Sequence, residues 1–156
     1  LKQFLNPLME AQQQFEKRKP VLLKLSPDLE ADDFKRIVDT CIEFQIDGFA
    51  LTNTTLERKT QKNFPNEGGI SGQPVAERSK EALRTVVKHL GSEKSKKLVI
   101  SVGGVMTAQD VFERIALGAD LVEVYTTLIF SGPQFFRKVA ASAHDSKQGF
   151  IQKTSS

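Results

Sequence analysis

The fold is decided by residues 98–125, which read LVISVGGVMTAQDVFERIALGADLVEVY. Both ends of this stretch, 98–102 and 121–125, are short apolar runs rich in Val, Ile and Leu. Such runs are typical of strands that are buried on both faces of a parallel sheet. The residues between them must therefore form the crossover connection that two parallel strands need.

That connection has the sequence pattern of a helix over 107–117. Thr107 and Asp110 have the spacing of a capping box, and Gly118 follows the last apolar residue, so the helix has both a start and a stop signal. We expect Val111 and Ile115 to be its buried residues. Residues 98–125 thus predict a strand–helix–strand unit with a right-handed crossover.

The same alternation extends upstream and downstream. Two further apolar runs, 21–25 and 46–51, predict strands. Helical periodicity is found in the first 19 residues, over 34–42, from about Ala76 to Leu90, and from about Pro133 onward. Four strand–helix units predict an α/β architecture, the C-terminal half of a (β/α)8 TIM barrel, since a whole barrel needs about 250 residues.

Composition supports one globular domain covering residues 1–156. The 39% of hydrophobic residues is enough for a core and excludes a disordered chain. No apolar run approaches the ~20 residues of a membrane helix. The net charge of +3 is too small to indicate a nucleic-acid partner. One cysteine excludes an internal disulfide, and no cluster has the spacing of metal ligands, so we expect no metal site.

Polar residues stand at the carboxyl ends of the first two strands, where barrel enzymes have their active sites. Lys24 interrupts an apolar run, which indicates either an edge lysine reaching water or a cation that faces an anionic ligand. Thr52, Asn53, Thr54 and Thr55 follow the second strand. Those four residues suit a polar ligand or, equally, a turn that is held by side-chain-to-backbone hydrogen bonds.

Glycines and hydroxyl residues follow the remaining strands. Gly103 and Gly104 come directly after the third strand, and Tyr125 and Thr126 lie at the end of the fourth. In a barrel the loops after the seventh and eighth strands form a phosphate site. Glycine has no side chain, so the backbone N–H groups of such a loop stay accessible to the phosphate. A nearby helix start would add a favourable dipole. The glycine-rich stretch 68–72 would permit similarly close approach, although alone it is a weak signal.

Taken together, these motifs resemble the C-terminal half of the class 2, quinone-linked dihydroorotate dehydrogenases. The segments that carry the resemblance are Lys24-Leu25-Ser26-Pro27-Asp28-Leu29, Asp47-Gly48, Thr52-Asn53-Thr54-Thr55, Gly68 through Pro74, Val102-Gly103-Gly104-Val105, Gly118 through Val122, and Tyr125 through Pro133. They occur in the family's order between about residues 20 and 140.

The resemblance implies an FMN-dependent barrel that oxidises dihydroorotate to orotate in pyrimidine (UMP) biosynthesis and passes the electrons to a quinone. It implies that the FMN-binding residues are Lys24, Thr52, Gly72, Gly103, Gly104, Tyr125 and Thr126. Asn53 and Thr54 would bind the orotate ring and carboxylate. Lys24 would stabilise negative charge on the reduced flavin.

Some features of the family are not matched in this sequence. The family's catalytic base is a serine in the first half of the barrel, and neither it nor the membrane-facing N-terminal helices can be matched, so we expect no catalytic residue in this chain. The chain opens Leu1-Lys2-Gln3-Phe4, as if already under way. We expect an isolated chain that is soluble, cytoplasmic and inactive until an N-terminal half is supplied. The family itself implies peripheral membrane association.

Two other interpretations remain open at this stage. The chain is either a dehydrogenase half or a catalytically inactive half-barrel that binds only FMN or a protein partner. Its open sheet edges would be covered by the N-terminal half or by a second copy. A different flavin- or phosphate-binding barrel would share the Gly103-Gly104 loop, but it would not account for the Thr-Asn-Thr-Thr stretch.

Overall fold

A computed structural model describes residues 1–58 and 67–154, with side chains described as far as residue 144. Within these residues, four strands alternate with helices. The strands are β1 (Leu22–Leu25), β2 (Gly48–Leu51), β3 (Leu98–Val102) and β4 (Leu121–Glu123). The helices are α1 (Lys2–Gln13), α2 (Ala31–Glu43), α3 (Ala76–Leu90), α4 (Ala108–Ala116), α5 (Thr126–Ser131) and α6 (Gln134–Thr154). Short 3₁₀ helices span Gln73–Val75 and Gly91–Lys96.

The four strands form one parallel sheet in the order β1-β2-β3-β4, which confirms the predicted α/β architecture. Three strands are shorter than predicted, β1 by one residue and β2 and β4 by two residues each. Before β2, the carboxylate of Asp47 accepts a hydrogen bond from the Val21 N–H at 2.7 Å, so Asp47 is held as a cap outside the strand. After β4, Tyr125 is the N-cap residue of α5, so the chain has left the strand by this point.

The core lies between the sheet and the helices α2 and α3. Phe49 and Leu51 on β2 and Val99 on β3 are fully buried, and they pack in one apolar cluster with residues of α2 and α3. Cys41 belongs to this cluster, as predicted, and burial raises the pKa of its thiol to about 11. A thiol in that state is a core side chain rather than a nucleophile.

The expectation that every strand is buried on both faces is wrong for the two edge strands. Leu121 on β4 is 52% exposed, and Lys24 on β1 is exposed as well. The physical reason is that β1 and β4 are the two ends of an open sheet. Only the central strands have neighbours on both sides, and β2 accordingly has no exposed residue.

The helix predictions hold with three differences. Helix α3 has the predicted bounds, and α4 begins with the predicted capping box of Thr107 and Asp110. The burial of Ile115 was predicted wrongly, since it is 45% exposed beside the open edge, and Val111 is only partly buried. Helix α1 ends at Gln13 instead of extending to residue 19. The six-residue helix α5 was not predicted at all.

No helix in the described parts of the chain combines the length and the hydropathy required to span a membrane. The long connection between residues 52 and 76 was predicted as a loop. Residues 59–66 of it lie outside the described residues. In the part that is described, Thr55 and Ile70 form an isolated antiparallel bridge.

Candidate functional site

One cavity of about 210 Å³ lies where the carboxyl ends of all four strands converge. Every site residue predicted from the sequence lines it: Lys24, Thr52, Asn53, Thr54, Gly72, Gly103, Gly104, Tyr125 and Thr126. The structure therefore brings these nine residues together from five separate stretches of the chain. The ligand groups that each residue would contact stay predictions.

The size of the cavity indicates that it holds only part of a ligand. Pockets for drug-sized ligands usually have volumes of about 300–1,000 Å³, which is larger than the 210 Å³ measured here. Its wall is formed at one end by β1 and at the other by the segment after β4, and both strands lie at open sheet edges. A ligand bound here would extend past these edges.

Lys24 places a cation at one end of the cavity. Its side chain is exposed on β1, in register with Ala50 on β2. No carboxylate among the described residues forms a salt bridge with it. The structure thus agrees with both sequence-based interpretations, because the lysine reaches solvent and also faces the cavity.

The loop after β2 is tied to both neighbouring strands through its backbone. The Thr52 N–H donates to the Val102 carbonyl at 2.7 Å, and the Asn53 N–H donates to the Leu25 carbonyl at 2.8 Å. The Asn53 side chain is exposed, and its Oδ1 accepts a hydrogen bond from the Thr54 N–H at 2.9 Å. Thr52 itself is only 2% exposed. Asn53 therefore presents its side chain to the cavity from a fixed backbone.

Asp28 anchors the far end of this loop, a role that the sequence did not reveal. Its carboxylate accepts hydrogen bonds from the Thr55 hydroxyl and from the Leu56 N–H, the latter at 2.7 Å. Arg78 on α3 donates to the same carboxylate at 3.2 Å. The loop that carries Asn53 is consequently held at both ends, by the sheet and by Asp28.

The glycine turn after β3 requires its glycines. Gly103 and Gly104 have φ values of 109° and 71°, which side-chain-bearing residues rarely adopt. A Cβ atom on Gly104 would lie 2.3 Å from the Cα atom of Ala76 at the start of α3. The turn therefore packs directly against the α3 backbone. This packing brings Gly72, which precedes α3, to the same cavity.

Hydroxyl groups complete the opposite wall. The Thr126 hydroxyl donates to the Ser71 hydroxyl at 3.1 Å, and Thr127 is buried with its hydroxyl donating to the Val105 carbonyl. Tyr125 is 71% exposed. These contacts join the loop after β4 to those that contain Ser71 and Val105.

The helix start expected near the phosphate loop is already occupied at α4. The carboxylate of Asp110 accepts hydrogen bonds from the N–H groups of Met106 and Thr107 at 2.9 Å and 2.8 Å. Burial raises the pKa of this carboxyl, but the hydrogen bonds from Met106 and Thr107 outweigh burial and lower its pKa overall. The N–H groups of Met106, Thr107 and Asp110 are thus bonded within the protein, so the backbone of the glycine turn is the better candidate for an anion.

Sequence reasoning missed a buried arginine behind this turn. Arg114 on α4 is 1% exposed and does not line the cavity. Burial lowers the pKa of its guanidinium, although Glu113, Asp110 and Glu77 oppose the effect by Coulombic attraction. An arginine in an amphipathic helix gives no sequence signal of burial, since exposed arginines occupy the same kind of pattern.

Other cavity-lining residues were also missed, among them Ser71, Val75, Met106 and Glu123. Glu123 had the same signal as Lys24, a charge inside an apolar strand run, and its carboxylate is exposed at the end of β4. The two histidines lie away from the cavity. His89 pairs with Asp39 at 2.7 Å, and His144 is exposed. Within the described residues, no group of three or more His, Cys, Asp or Glu could hold a metal ion.

Some recesses elsewhere on the surface are larger than this cavity, and two of them have volumes of about 570 and 590 Å³. One is lined by residues of α1 and the end of α2, and the other by charged residues of α2 and α3. Neither receives the carboxyl end of a strand. The 210 Å³ cavity remains the better candidate because the α/β fold directs its loops and glycine turn there.

Comparison with known proteins connects this arrangement to one family. The family model described as "Dihydroorotate dehydrogenase" matches residues 2–145. A protein of Corynebacterium diphtheriae named "Dihydroorotate dehydrogenase (quinone)" is 41% identical over 126 residues, covering 77% of this chain and 34% of the relative. A protein of the same name from Christiangramia forsetii is 39% identical over 143 residues, covering 89% of this chain and 41% of the relative.

Among solved structures, the chain resembles that of DHODH in complex with ferulenol from Eimeria tenella. The TM-score is 0.76 at 32% sequence identity, over 88% of this chain and 37% of that one. The likeness confirms the predicted C-terminal half of an α/β barrel. The chain spans less than half the length of each of these relatives.

Proposed function

The chain belongs to the dihydroorotate dehydrogenase family, and we propose that it supplies the FMN-phosphate side and part of the orotate site of a quinone-linked enzyme. The reaction would oxidise dihydroorotate to orotate in pyrimidine biosynthesis and deliver the electrons to a quinone. Residues 1–156 would act as one domain, which is consistent with a single core cluster running from Leu5 to Ala119. The single observation that carries the proposal is the convergence of all nine predicted residues on one cavity.

The glycine turn and the hydroxyl wall fit the phosphate of FMN. Gly103 and Gly104 expose backbone to the cavity, and Thr126 and Tyr125 bring hydroxyl groups to it. A Cβ atom on Gly72 would lie 3.0 Å from the Thr126 side chain, so this corner is shaped by the absence of a side chain. Hydroxyl and backbone N–H donors are among the groups that bind phosphate without a metal.

The remaining residues would serve the flavin ring and the substrate. The ammonium of Lys24 would lie against the flavin ring and favour negative charge that develops there, an electrostatic contribution. Thr52 would contact the flavin from its buried position. Asn53 and Thr54 would hydrogen-bond the orotate ring and its carboxylate. FMN, when bound, supplies the two-electron redox chemistry.

We also propose that the base which removes the substrate proton comes from a segment outside this chain. The proposal rests on the family resemblance, in which a serine of the first half of the barrel is the base, and none of the nine predicted residues carries a carboxylate, an imidazole or a thiol. Glu123, which also lines the cavity, is the alternative base within this chain. The N-terminal half of the barrel, or a second copy, would cover the open edges at β1 and β4. The assembled enzyme would associate peripherally with a membrane, as the family's use of a quinone suggests.

Complementation tests this function. The chain is co-expressed with the segment that precedes the matched region in the Corynebacterium diphtheriae relative, and dihydroorotate-dependent reduction of a quinone analogue is measured. We expect turnover from the pair and none from the chain alone. Asn53→Ala is expected to lower kcat/KM at least about tenfold, because a buried substrate group loses its hydrogen bond. The matched control is Asn6→Ala, at an exposed position on α1, with unchanged turnover.

Three outcomes separate the alternatives. A pair that binds FMN but never turns over dihydroorotate would support an inactive, FMN-binding half-barrel. Turnover by the chain alone would overturn the assignment of the base to another segment. Turnover that is equal in Asn53→Ala and wild type would remove the orotate role of this loop.

A further inference from the structure

The guanidinium of Arg114 is buried among neutral groups beneath the glycine turn. Its Nη1 donates to the hydroxyls of Ser79 at 2.7 Å and Ser101 at 3.0 Å. Its Nη2 donates to the carbonyls of Ala76 at 3.1 Å and Gly103 at 2.9 Å. The buried Nε has no hydrogen-bond partner among the residues that the structure describes. No salt bridge joins Arg114 to a carboxylate among the described residues.

Burying a guanidinium among neutral groups costs free energy, which indicates a role for its charge. A buried cation normally pairs with an anion, since neutral acceptors replace only part of its hydration. Glu113, Asp110 and Glu77 attract Arg114 from a distance without contacting it. The protein therefore keeps a positive charge behind the Gly103-Gly104 turn that its own described carboxylates do not neutralise by contact.

The hydrogen bonds of Arg114 also fix the direction of one peptide group. The Gly103 carbonyl accepts from Arg114 and from the Ser79 hydroxyl, the latter at 2.7 Å, so it points into the protein. In a planar trans peptide the C=O and the following N–H point in opposite directions. The N–H of Gly104 is thus turned away from Arg114, on the side of a residue that lines the cavity.

We propose that Arg114 is a positioning residue for a phosphate group bound at the Gly103-Gly104 turn. It holds the Gly104 N–H toward the anion and supplies positive charge from behind the loop, without touching the ligand. This inference rests on the proposed function, because it assigns a residue to the phosphate end of the same site. The field of a charge in a protein interior is weakly screened, which allows it to act across the turn.

A merely structural arginine would behave differently from a positioning one. Loss of a structural arginine would lower the stability of the protein, and it would weaken the binding of FMN and of riboflavin by similar factors. A residue that acts on the phosphate changes the affinity for FMN but leaves the affinity for riboflavin, which lacks the phosphate, nearly constant. The ratio of the two affinities is therefore the diagnostic quantity.

The experiment titrates FMN and riboflavin, by flavin fluorescence, into the full chain co-purified with its complementing segment. The variants are Arg114→Met, which removes charge and hydrogen bonds, and Arg114→Lys, which keeps the charge but cannot bridge all four acceptors. The control is Arg36→Met, an equal change of charge at an exposed arginine of α2. Far-UV circular dichroism and a urea midpoint report on the fold of each variant.

We expect the FMN-to-riboflavin affinity ratio to fall about tenfold or more in Arg114→Met, because the Gly104 N–H is no longer held toward the phosphate and the positive charge behind it is lost. The affinity ratio of Arg114→Lys should lie between those of Arg114→Met and the wild type, and the ratio of Arg36→Met should equal that of the wild type. A ratio that is unchanged in Arg114→Met would overturn the inference. If that variant is unfolded, the decision rests on Arg114→Lys, whose unchanged ratio would equally overturn it. A wild-type protein that binds both flavins equally would refute the phosphate site itself.

Discussion

At the scale of single residues, Gly104 is a glycine at which two separate constraints act together. It combines a positive φ with a backbone neighbour 2.3 Å from where a Cβ atom would stand. Gly91 also has a positive φ, but no atom in the described part of the chain lies within 4 Å of its added Cβ. Comparing alanine substitutions at the two glycines therefore separates the free-energy cost of backbone strain from the cost of steric overlap.

We predict that Gly104→Ala destabilises the protein more than Gly91→Ala does. The conformational strain alone is worth about 1–2 kcal/mol and applies to both variants. Gly104→Ala also has to displace the α3 backbone, so its total loss of folding free energy should exceed about 3 kcal/mol. Urea unfolding followed by circular dichroism measures both values. Equal losses in the two variants would mean that the Ala76 backbone yields without cost.

Residue type also explains which parts of the site could be foreseen. Lys24 and Asn53 were identifiable because a charge within a strand run and an amide after one are unusual there. Arg114 was not, since its neighbours in sequence match those of any exposed arginine on a helix. Its burial depends on Ser79 and Ser101, which meet it only through the fold. Asp28 was missed for the same reason, because Thr55 and Arg78 are distant in sequence.

At the scale of elements, a helix could be predicted where its start and its period are both encoded in neighbouring residues. The helix α4 was predicted correctly because its cap lies within the sequence of the helix itself, as Thr107 and Asp110. The helix α5 was missed because six residues are too few to show a helical period. Ile115 was assigned to the core by periodicity, but whether the apolar face of α4 is covered depends on elements beyond β4.

The α4 cap gives a pH-dependent prediction. Asp110→Ala should cost about 1 kcal/mol at pH 7, since it removes the acceptor of the capping box. The pKa of Asp110 is lowered in the folded state, so its contribution is full above the ordinary value of 3.8 and is lost as the pH falls through the lower folded-state pKa.

Urea unfolding of both proteins between pH 2 and pH 7, values chosen to bracket this range, tests the prediction. The difference between wild type and variant should shrink toward the acid end. Asp32→Ala, which breaks an exposed pair with Lys35 on α2, should show a smaller loss at pH 7. A difference that persists unchanged at the lowest pH would show that the effect is not electrostatic.

At the scale of the whole molecule, the sheet has two open edges and an apolar surface beside one of them. On the segment after β4 the most exposed apolar side chains are Tyr125, Ile129 and Phe130, at 71%, 67% and 81%. Contiguous apolar surface of this kind marks an interface. The number of strands in the sequence predicted the open edges, but the exposed residues of α5 could be identified only from the structure.

We therefore predict that the chain purified alone self-associates, measured as mass by light scattering after gel filtration. Phe130→Ser should shift the population toward the monomer, since it removes the most exposed of these side chains. Phe15→Ser is the matched control, because Phe15 is also exposed, at 58%, but lies beyond the end of α1. A wild-type chain that is monomeric at all concentrations would contradict this prediction.

The central claim is that the loops at the carboxyl ends of these four strands hold the phosphate end of FMN. The most direct test is the visible absorption spectrum of the complemented protein after it is loaded with FMN and desalted. The account predicts a retained flavin spectrum for the wild type and for Gly91→Ala, and a colourless protein for Gly104→Ala. Equal retention of FMN in the Gly104→Ala protein, or retention of riboflavin as firmly as FMN, would contradict it.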